Sequence, residues 1–250
     1  MRQRLGGVLA VAVLAASACS PSTRTLAPST VASPTQTAVT PAASPTPTKA
    51  LLTGSAYRAT PAAATGGKIV LAEWQYPDTL VPYFARLGSD FEVAASMFDG
   101  LLTVTPDLRY APDLAQDVPT LDNGGVVLKD AGMNVTWKLK SGMQWSDGEP
   151  INCDDLKATW TWNRDPANAG LASGTAGWED ISGIDGGIGT SCVVPYSSVY
   201  EGYLNLFSPV LPAHYLASIP VREAPARLYP LNNPSTGVYS GPYIPTATKA

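Results

Sequence analysis

No acidic residue occurs before Glu73, and all 20 lie from there onward. This split in charge coincides with a split in composition. From Ser20 to about Gly67 the chain is dominated by Ala, Pro, Ser and Thr, with Arg24, Lys49 and Arg58 its only charges. Such a stretch has too little apolar surface to offset the entropy of ordering it. It reads as an extended, partly polyproline-like tether over residues 19–67. As a coil it spans on the order of 40 Å. Folding is therefore expected only in residues 68–250, about 180 residues, which suffices for one large domain or two small ones.

What precedes the tether has the layout of a secretory signal. Arg2 and Arg4 form a positive start, Leu5 to Leu14 is apolar, and the small residues Ala15-Ala16-Ser17-Ala18 lead to Cys19. The apolar stretch is shorter than the roughly 20 residues that cross a bilayer as a helix. Residues 1–18 are thus read as a signal peptide. One reading of Cys19 is a chance residue after ordinary cleavage. The other is a lipobox, with Cys19 lipidated as the mature N-terminus, although Ala16 stands where bacterial lipoproteins usually carry Leu. A long tether starting directly after the cysteine favours the lipobox, since it would hold a folded domain clear of the headgroups. The expected location is the outer face of the cytoplasmic membrane, with membrane contact through the lipid anchor only.

Five of the 16 basic residues precede Lys68, which leaves 11 against 20 acidic and a net charge of −9 for the folded part. An acidic domain without a basic cluster argues against nucleic acid as a partner. Six Trp and 11 Tyr against one His suggest aromatic recognition more than metal chemistry, and no metal or cofactor is expected. With Cys19 assigned to lipid, Cys153 and Cys192 remain as a pair in an oxidising compartment. A bridge would close a loop of about 40 residues, near 4 kcal/mol in the chain-entropy model. Two separate buried thiols are the alternative.

Local patterns give the expected elements. Lys68–Trp74 is β-rich and bounded by Gly66-Gly67 and Pro77, so it reads as an opening strand. Ser89 and Glu92 have capping-box spacing, and Phe91, Ala94, Ala95 and Phe98 recur at helical intervals, which predicts a helix over 90–99. Leu101–Thr105 reads as a strand and residues 108–118 as a loop. Val126–Leu128 and the alternating Val135–Leu139 read as a β-meander. Asn152 caps a predicted helix from Cys153 to Arg164, with Asp154 and Asp155 in a solvated first turn. Ser191–Val194 and Leu204–Phe207 are short ordered candidates.

The run Trp145-Ser146-Asp147-Gly148-Glu149-Pro150, leading into Asn152-Cys153-Asp154-Asp155-Leu156, resembles the signature of the family 5 extracellular solute-binding proteins. These are the receptors of oligopeptide, dipeptide and nickel ABC importers. Further segments agree in order: Thr79-Leu80-Val81-Pro82, Met97-Phe98-Asp99-Gly100-Leu101-Leu102, Ala111-Pro112-Asp113-Leu114-Ala115 and Thr136-Trp137-Lys138-Leu139-Lys140-Ser141-Gly142. Ile184-Asp185, Leu211-Pro212-Ala213-His214 and Gly241-Pro242-Tyr243 continue the series. Val81 departs from the usual Asp, and Cys153 from the usual small residue, which fits a bridge to Cys192.

The resemblance implies an α/β, periplasmic-binding-protein-like type II fold. Its first lobe would comprise strands in residues 68–82 and 185–250, with an inserted α/β subdomain at 83–184. Complete family members are about twice this length, and Gly241-Pro242-Tyr243 falls near their middle. The resemblance therefore implies that the second lobe is missing and the ligand cleft incomplete.

It also implies a monomeric receptor that captures a peptide or other small solute and delivers it to ABC permease subunits. Glu73, Trp74, Gln75 and Tyr76 lie where the family lines its cleft, and Trp178 lies near another cleft element. For each, a purely structural role is the alternative: core packing for the first four, a surface-loop aromatic for Trp178. Asp147 and Glu149 have the residue types of a glycosidase pair, but Asp147-Gly148 reads as a turn. His214 has no accompanying nucleophile motif, so no enzyme is expected. A surface receptor or adhesin keeping the fold without transport is a second possibility, and a secreted hydrolase a third.

Overall fold

The computed structural model describes residues 53–60, 63–64, 66–168 and 174–246. Cys19 and most of the expected tether lie outside this set. Among the described residues, four helices and five strands, joined by 3-10 turns, follow in chain order: α1 (Gly88–Met97), β1 (Leu102–Val104), β2 (Tyr110–Pro112), β3 (Val126–Leu128), β4 (Met133–Lys138), α2 (Cys153–Arg164), β5 (Ser191–Tyr196), α3 (Ala213–Ala217) and α4 (Ala224–Arg227). β1 and β2 form one antiparallel hairpin, and β3-β4-β5 form a second, fully antiparallel sheet. Among the described residues no helix is long and apolar enough to cross a membrane.

The central strand β4 behaves as its alternation requires. Met133, Val135 and Trp137 point inward while Asn134, Thr136 and Lys138 are more exposed, the period-two pattern of a half-buried strand. Val135 lies opposite Val194 and Trp137 opposite Cys192. The sheet packs into a continuous core with Leu114, Leu139, Leu156 and Ile181, each at most 1% exposed. The structure joins Cys192 on β5 to Cys153 at the start of α2, tying the sheet to the helix behind it.

α2 starts as its sequence predicts. Asn152 Oδ1 accepts the Asp154 N–H at 2.9 Å, and Asp155 Oδ2 accepts the Asn152 N–H at 2.9 Å, a reciprocal capping box. The expectation of a solvated first turn fails for Asp155, which is only 2% exposed. Its carboxylate also accepts from Trp145 Nε1 at 3.3 Å and from the Ala213 N–H at 2.8 Å. Burial raises its pKa despite those bonds. Asp155 thereby fastens the Trp145 turn and the start of α3 to one helix end. Gly148 closes that turn at φ +92°, donating its N–H to the Trp145 carbonyl at 2.9 Å; a side chain there would be strained. The Trp145-to-Leu156 signature is thus a structural knot rather than a ligand site.

α1 begins two residues earlier than its pattern suggests, and Asp90 rather than the Ser89–Glu92 pair organises its start. Asp90 is 1% exposed and accepts backbone N–H groups from Asp78, Thr79, Arg86 and Leu87 at 2.7–3.4 Å. Burial opposes its charge, but the four donors prevail and hold its pKa below the usual carboxylate range.

Two expectations are corrected. Lys68–Trp74 forms no strand: it has no ladder partner among the described residues, and Ile69, Val70 and Leu71 are 77%, 75% and 82% exposed. A β-rich apolar run becomes a strand only beside another strand edge and over a surface to bury, and this one meets neither here. Residues 108–118 are not wholly loop, because Tyr110–Pro112 pairs with Leu102–Val104. The end of the expected tether also has contacts: Ser55 Oγ and the Ala56 N–H donate to Asp107 at 2.7 and 2.9 Å. Hydrogen bonds from Thr105 and then Ser55 hold the Asp107 carboxyl far below its usual range.

Candidate functional site

A cavity of about 590 Å³ lies between the Pro82–Phe84 turn, α1 and the Tyr200–Ser208 segment. Its volume is within the range of small-molecule sites. The aromatic wall consists of Tyr83, Phe91, Trp178 and Tyr200, with Asn205 and Ser208 as polar lining and Arg86 at the rim.

Each wall residue is held by a different local cause. Tyr83 donates its hydroxyl to the carbonyls of Leu206 and Pro209, so that hydroxyl is committed and burial drives its pKa far up. Trp178 packs edge-on against Tyr83 and Phe207, with ring centroids 6.0 and 5.1 Å apart. Its carbonyl accepts Trp160 Nε1 at 3.1 Å. Gly177 has φ +81°, and a Cβ there would collide with the Tyr200 ring. Only glycine lets Tyr200 lie over this backbone.

A second cavity, of about 530 Å³, continues along α1 and shares Pro82, Phe91, Asn205 and Ser208 with the first. Asp99 and Asp113 line its far end. Burial, then the Asp113 charge, push the Asp99 pKa up to about 6, opposed by Lys140. Burial likewise raises that of Asp113. Backbone bonds from Leu101 to the Phe207 carbonyl and from Val210 to the Asp99 carbonyl hold this end against the 207–210 segment.

The expected site residues are separated. Trp178 lies in the aromatic wall, 3% exposed, so the alternative of a surface-loop aromatic is corrected. Glu73, Trp74, Gln75 and Tyr76 line neither cavity. Trp74 is 90% exposed and Tyr76 47%, which removes core packing as their role here. Glu73 meets Glu92 on α1, and their shared hydrogen bond raises its pKa. Arg86, Phe91, Asp99 and Tyr200 were not singled out from sequence as site residues.

Other chemistry is sparse. His214 Nε2 lies 2.8 Å from Asp147 Oδ2 in an exposed pair. Burial works most strongly against the Asp147 charge, but the His214 hydrogen bond, the Glu149 N–H and the His214 charge together outweigh it and hold the pKa below the usual range. No cluster of three or more metal-ligating side chains occurs among the described residues.

Comparison with solved structures supports the type II periplasmic-binding-protein fold. The oligopeptide-binding protein of Thermus thermophilus, complexed with pentapeptide, aligns at TM-score 0.54 and 17% identity over 65% of this chain and 32% of its own. Among curated proteins, Protein XP55 of Streptomyces lividans is 34% identical over 88 residues, 35% of this chain and 14% of that protein. The probable monoacyl phosphatidylinositol tetramannoside-binding protein LpqW of Mycobacterium tuberculosis is 30% identical over 105 residues, 41% of this chain and 16% of its own. The chain thus matches only about a sixth of the length of these curated relatives. Residues 109–250 match the family described as bacterial extracellular solute-binding proteins, family 5 Middle. With more than half of its length in that match, the chain belongs to the family 5 bacterial extracellular solute-binding proteins.

Proposed function

We propose that these residues serve a lipid-anchored receptor that captures peptides for an ABC importer, with Cys19 as the anchored residue and residues 19–67 as its tether. The observation that carries the peptide reading is the aromatic cavity of Tyr83, Phe91, Trp178 and Tyr200 in a chain of solute-binding family. Flat apolar walls with a few polar groups accept varied side chains, and main-chain hydrogen bonds supply affinity without strict sequence preference. The pentapeptide complex of the Thermus thermophilus relative supports the same ligand class. Domain boundaries near 83 and 184 and a second lobe completing the cleft belong to this reading, as do the permease partners and monomeric state. Trp74 and Tyr76, exposed in the segment before Asp90's clamp, together with Glu73 beside Glu92 and the half-buried Gln75, are the residues this reading brings to the ligand when a second lobe closes.

Uptake of a labelled tetrapeptide by cells lacking the gene, with and without complementation, tests the transport role. Restored uptake is expected. Unchanged uptake in the deletion strain would overturn it and favour a receptor or adhesin without transport. Labelling with radioactive palmitate, lost in Cys19→Ala, tests the anchor.

A further inference from the structure

The composition of the tether breaks at one place. Gly54 is the only glycine between Gly7 and Gly66, and Tyr57 the only aromatic residue before Trp74. Gly54 turns the chain at φ +80°, a conformation that a side chain would strain. The turn sets Ser55 and Ala56 against the tip of the β1–β2 hairpin. Asp107, in that tip, accepts the Ser55 hydroxyl on Oδ1 at 2.7 Å and the Ala56 N–H on Oδ2 at 2.9 Å. Thr105 Oγ1 donates to the same Oδ1 at 2.6 Å, so the carboxylate is positioned from within the hairpin. The tether side is braced as well. Ser55 Oγ accepts the Tyr57 N–H at 3.0 Å, and Arg58 Nη1 donates to the Ser55 and Tyr57 carbonyls at 2.8 and 2.7 Å. A cavity of about 360 Å³ separates the rest of this segment from the domain, with Arg58 on one side and Tyr110, Asp117 and Asn123 among the residues on the other. Directed hydrogen bonds, more than apolar burial, therefore hold the segment in place, which makes the contact specific and readily reversible.

We propose that the tip of the β1–β2 hairpin is a docking site for residues 54–58 of the chain's own tether, and that the domain hangs from its anchor by this contact. The second half of the proposal rests on the reading in which residues 19–67 link a lipidated Cys19 to the domain. Pull on the tether then enters the domain at Asp107. Asp90 fastens the chain again at Asp78 and Thr79, so the exposed residues 69–76 lie between two fasteners and are spared that pull. The free tether ends near Thr53 rather than Gly67, which lowers its coil span from about 40 Å to about 33 Å. Val104 and Tyr110, on either side of the hairpin tip, also line the second cavity, so the strands that take the tether are the strands that wall that cavity.

Tryptic digestion of the full chain carrying Cys19→Ala tests the docking without the anchor, because Arg58 lies in the docked segment and Lys68 outside it. D107A should speed cutting after Arg58 about tenfold and leave the rate after Lys68 unchanged. S55A, which alters the tether and not the hairpin, should act in the same direction and add nothing in the D107A background. Hydrogen exchange gives the residue-level readout. The Ala56 and Tyr57 amides should be protected in the parent chain and released in D107A, while the β4 amides stay protected in both and report an intact fold. Equal cutting after Arg58 with and without D107A, or exchange of Ala56 at the free-chain rate in the parent, would overturn the docking site. Palmitate labelling that persists in Cys19→Ala would remove the anchor and the pull instead, and leave the docked segment standing.

Discussion

Lys68–Trp74 and β4 have similar sequences and opposite fates. Both are short, β-rich runs containing Val and Trp and bounded by turn residues. In β4, Val135 and Trp137 are 0% and 1% exposed, with β3 on one edge and β5 on the other. In Lys68–Trp74, Leu71 and Trp74 are 82% and 90% exposed, without a ladder. β-propensity reports fitness for a pleated, half-buried surface, and the surface has to come from elsewhere in the chain. The difference between the segments is therefore in their neighbours.

Substitutions can sharpen that contrast, and the largest effect should fall on β4. Trp137→Ala should cost about 4 kcal/mol, the range for emptying a buried aromatic site, read from the urea midpoint. Removing the tie behind the sheet comes next. The double change Cys153→Ser and Cys192→Ser should cost up to about 4 kcal/mol, and reductant should lower the melting temperature of the wild type but not of this variant.

Asp90→Ala attacks the point where the segment following Lys68–Trp74 is fastened. Four backbone N–H groups lose their acceptor, a cost of about 2–3 kcal/mol. Because the folded state lowers the Asp90 pKa, its contribution is present above its unfolded value and is lost as pH falls through the folded one. The variant should lack that part of the acid limb in a stability–pH profile.

Asp99 has the opposite sign and a smaller effect. Its pKa is raised to about 6, so the stability linked to its proton is complete below about pH 4 and declines until about pH 6. Asp99→Asn should flatten that decline. Smallest of all, Leu71→Asp should change stability by no more than about 0.5 kcal/mol, as at any solvated surface position. A loss of several kcal/mol there would show that Lys68–Trp74 is packed in solution, and the contrast with β4 would collapse.

Much of the fold was legible because its signals are local. The cap at Asn152, the alternation through Trp137 and the helical spacing from Phe91 to Phe98 are each complete within a few residues. The ordered motifs from Thr79 to Tyr243 identified the family before any contact was known. The site was less legible. Trp178, expected near the cleft by resemblance, lines a cavity whose wall also takes Tyr83 and Tyr200, with Arg86 beside them, while Asp99 and Asp113 line the neighbouring cavity, all brought together from distant segments. Asp155 misled for the same reason: as a helix-start carboxylate it looks solvated, and only the Trp145 turn and Ala213 arriving from elsewhere bury it.

The sequence by itself determined where the folded chain begins to be acidic and aromatic, which segments favour helix or alternate as strand, and which family the chain resembles. These follow from propensity, spacing and composition, which act between near neighbours. Only the tertiary structure decided that Lys68–Trp74 stays unpaired, that Asp90 and Asp155 become buried clamps, and that Tyr83, Phe91, Trp178 and Tyr200 line one cavity. Ladder partners, desolvation and cavity walls depend on residues far apart in the chain, and no local pattern encodes them.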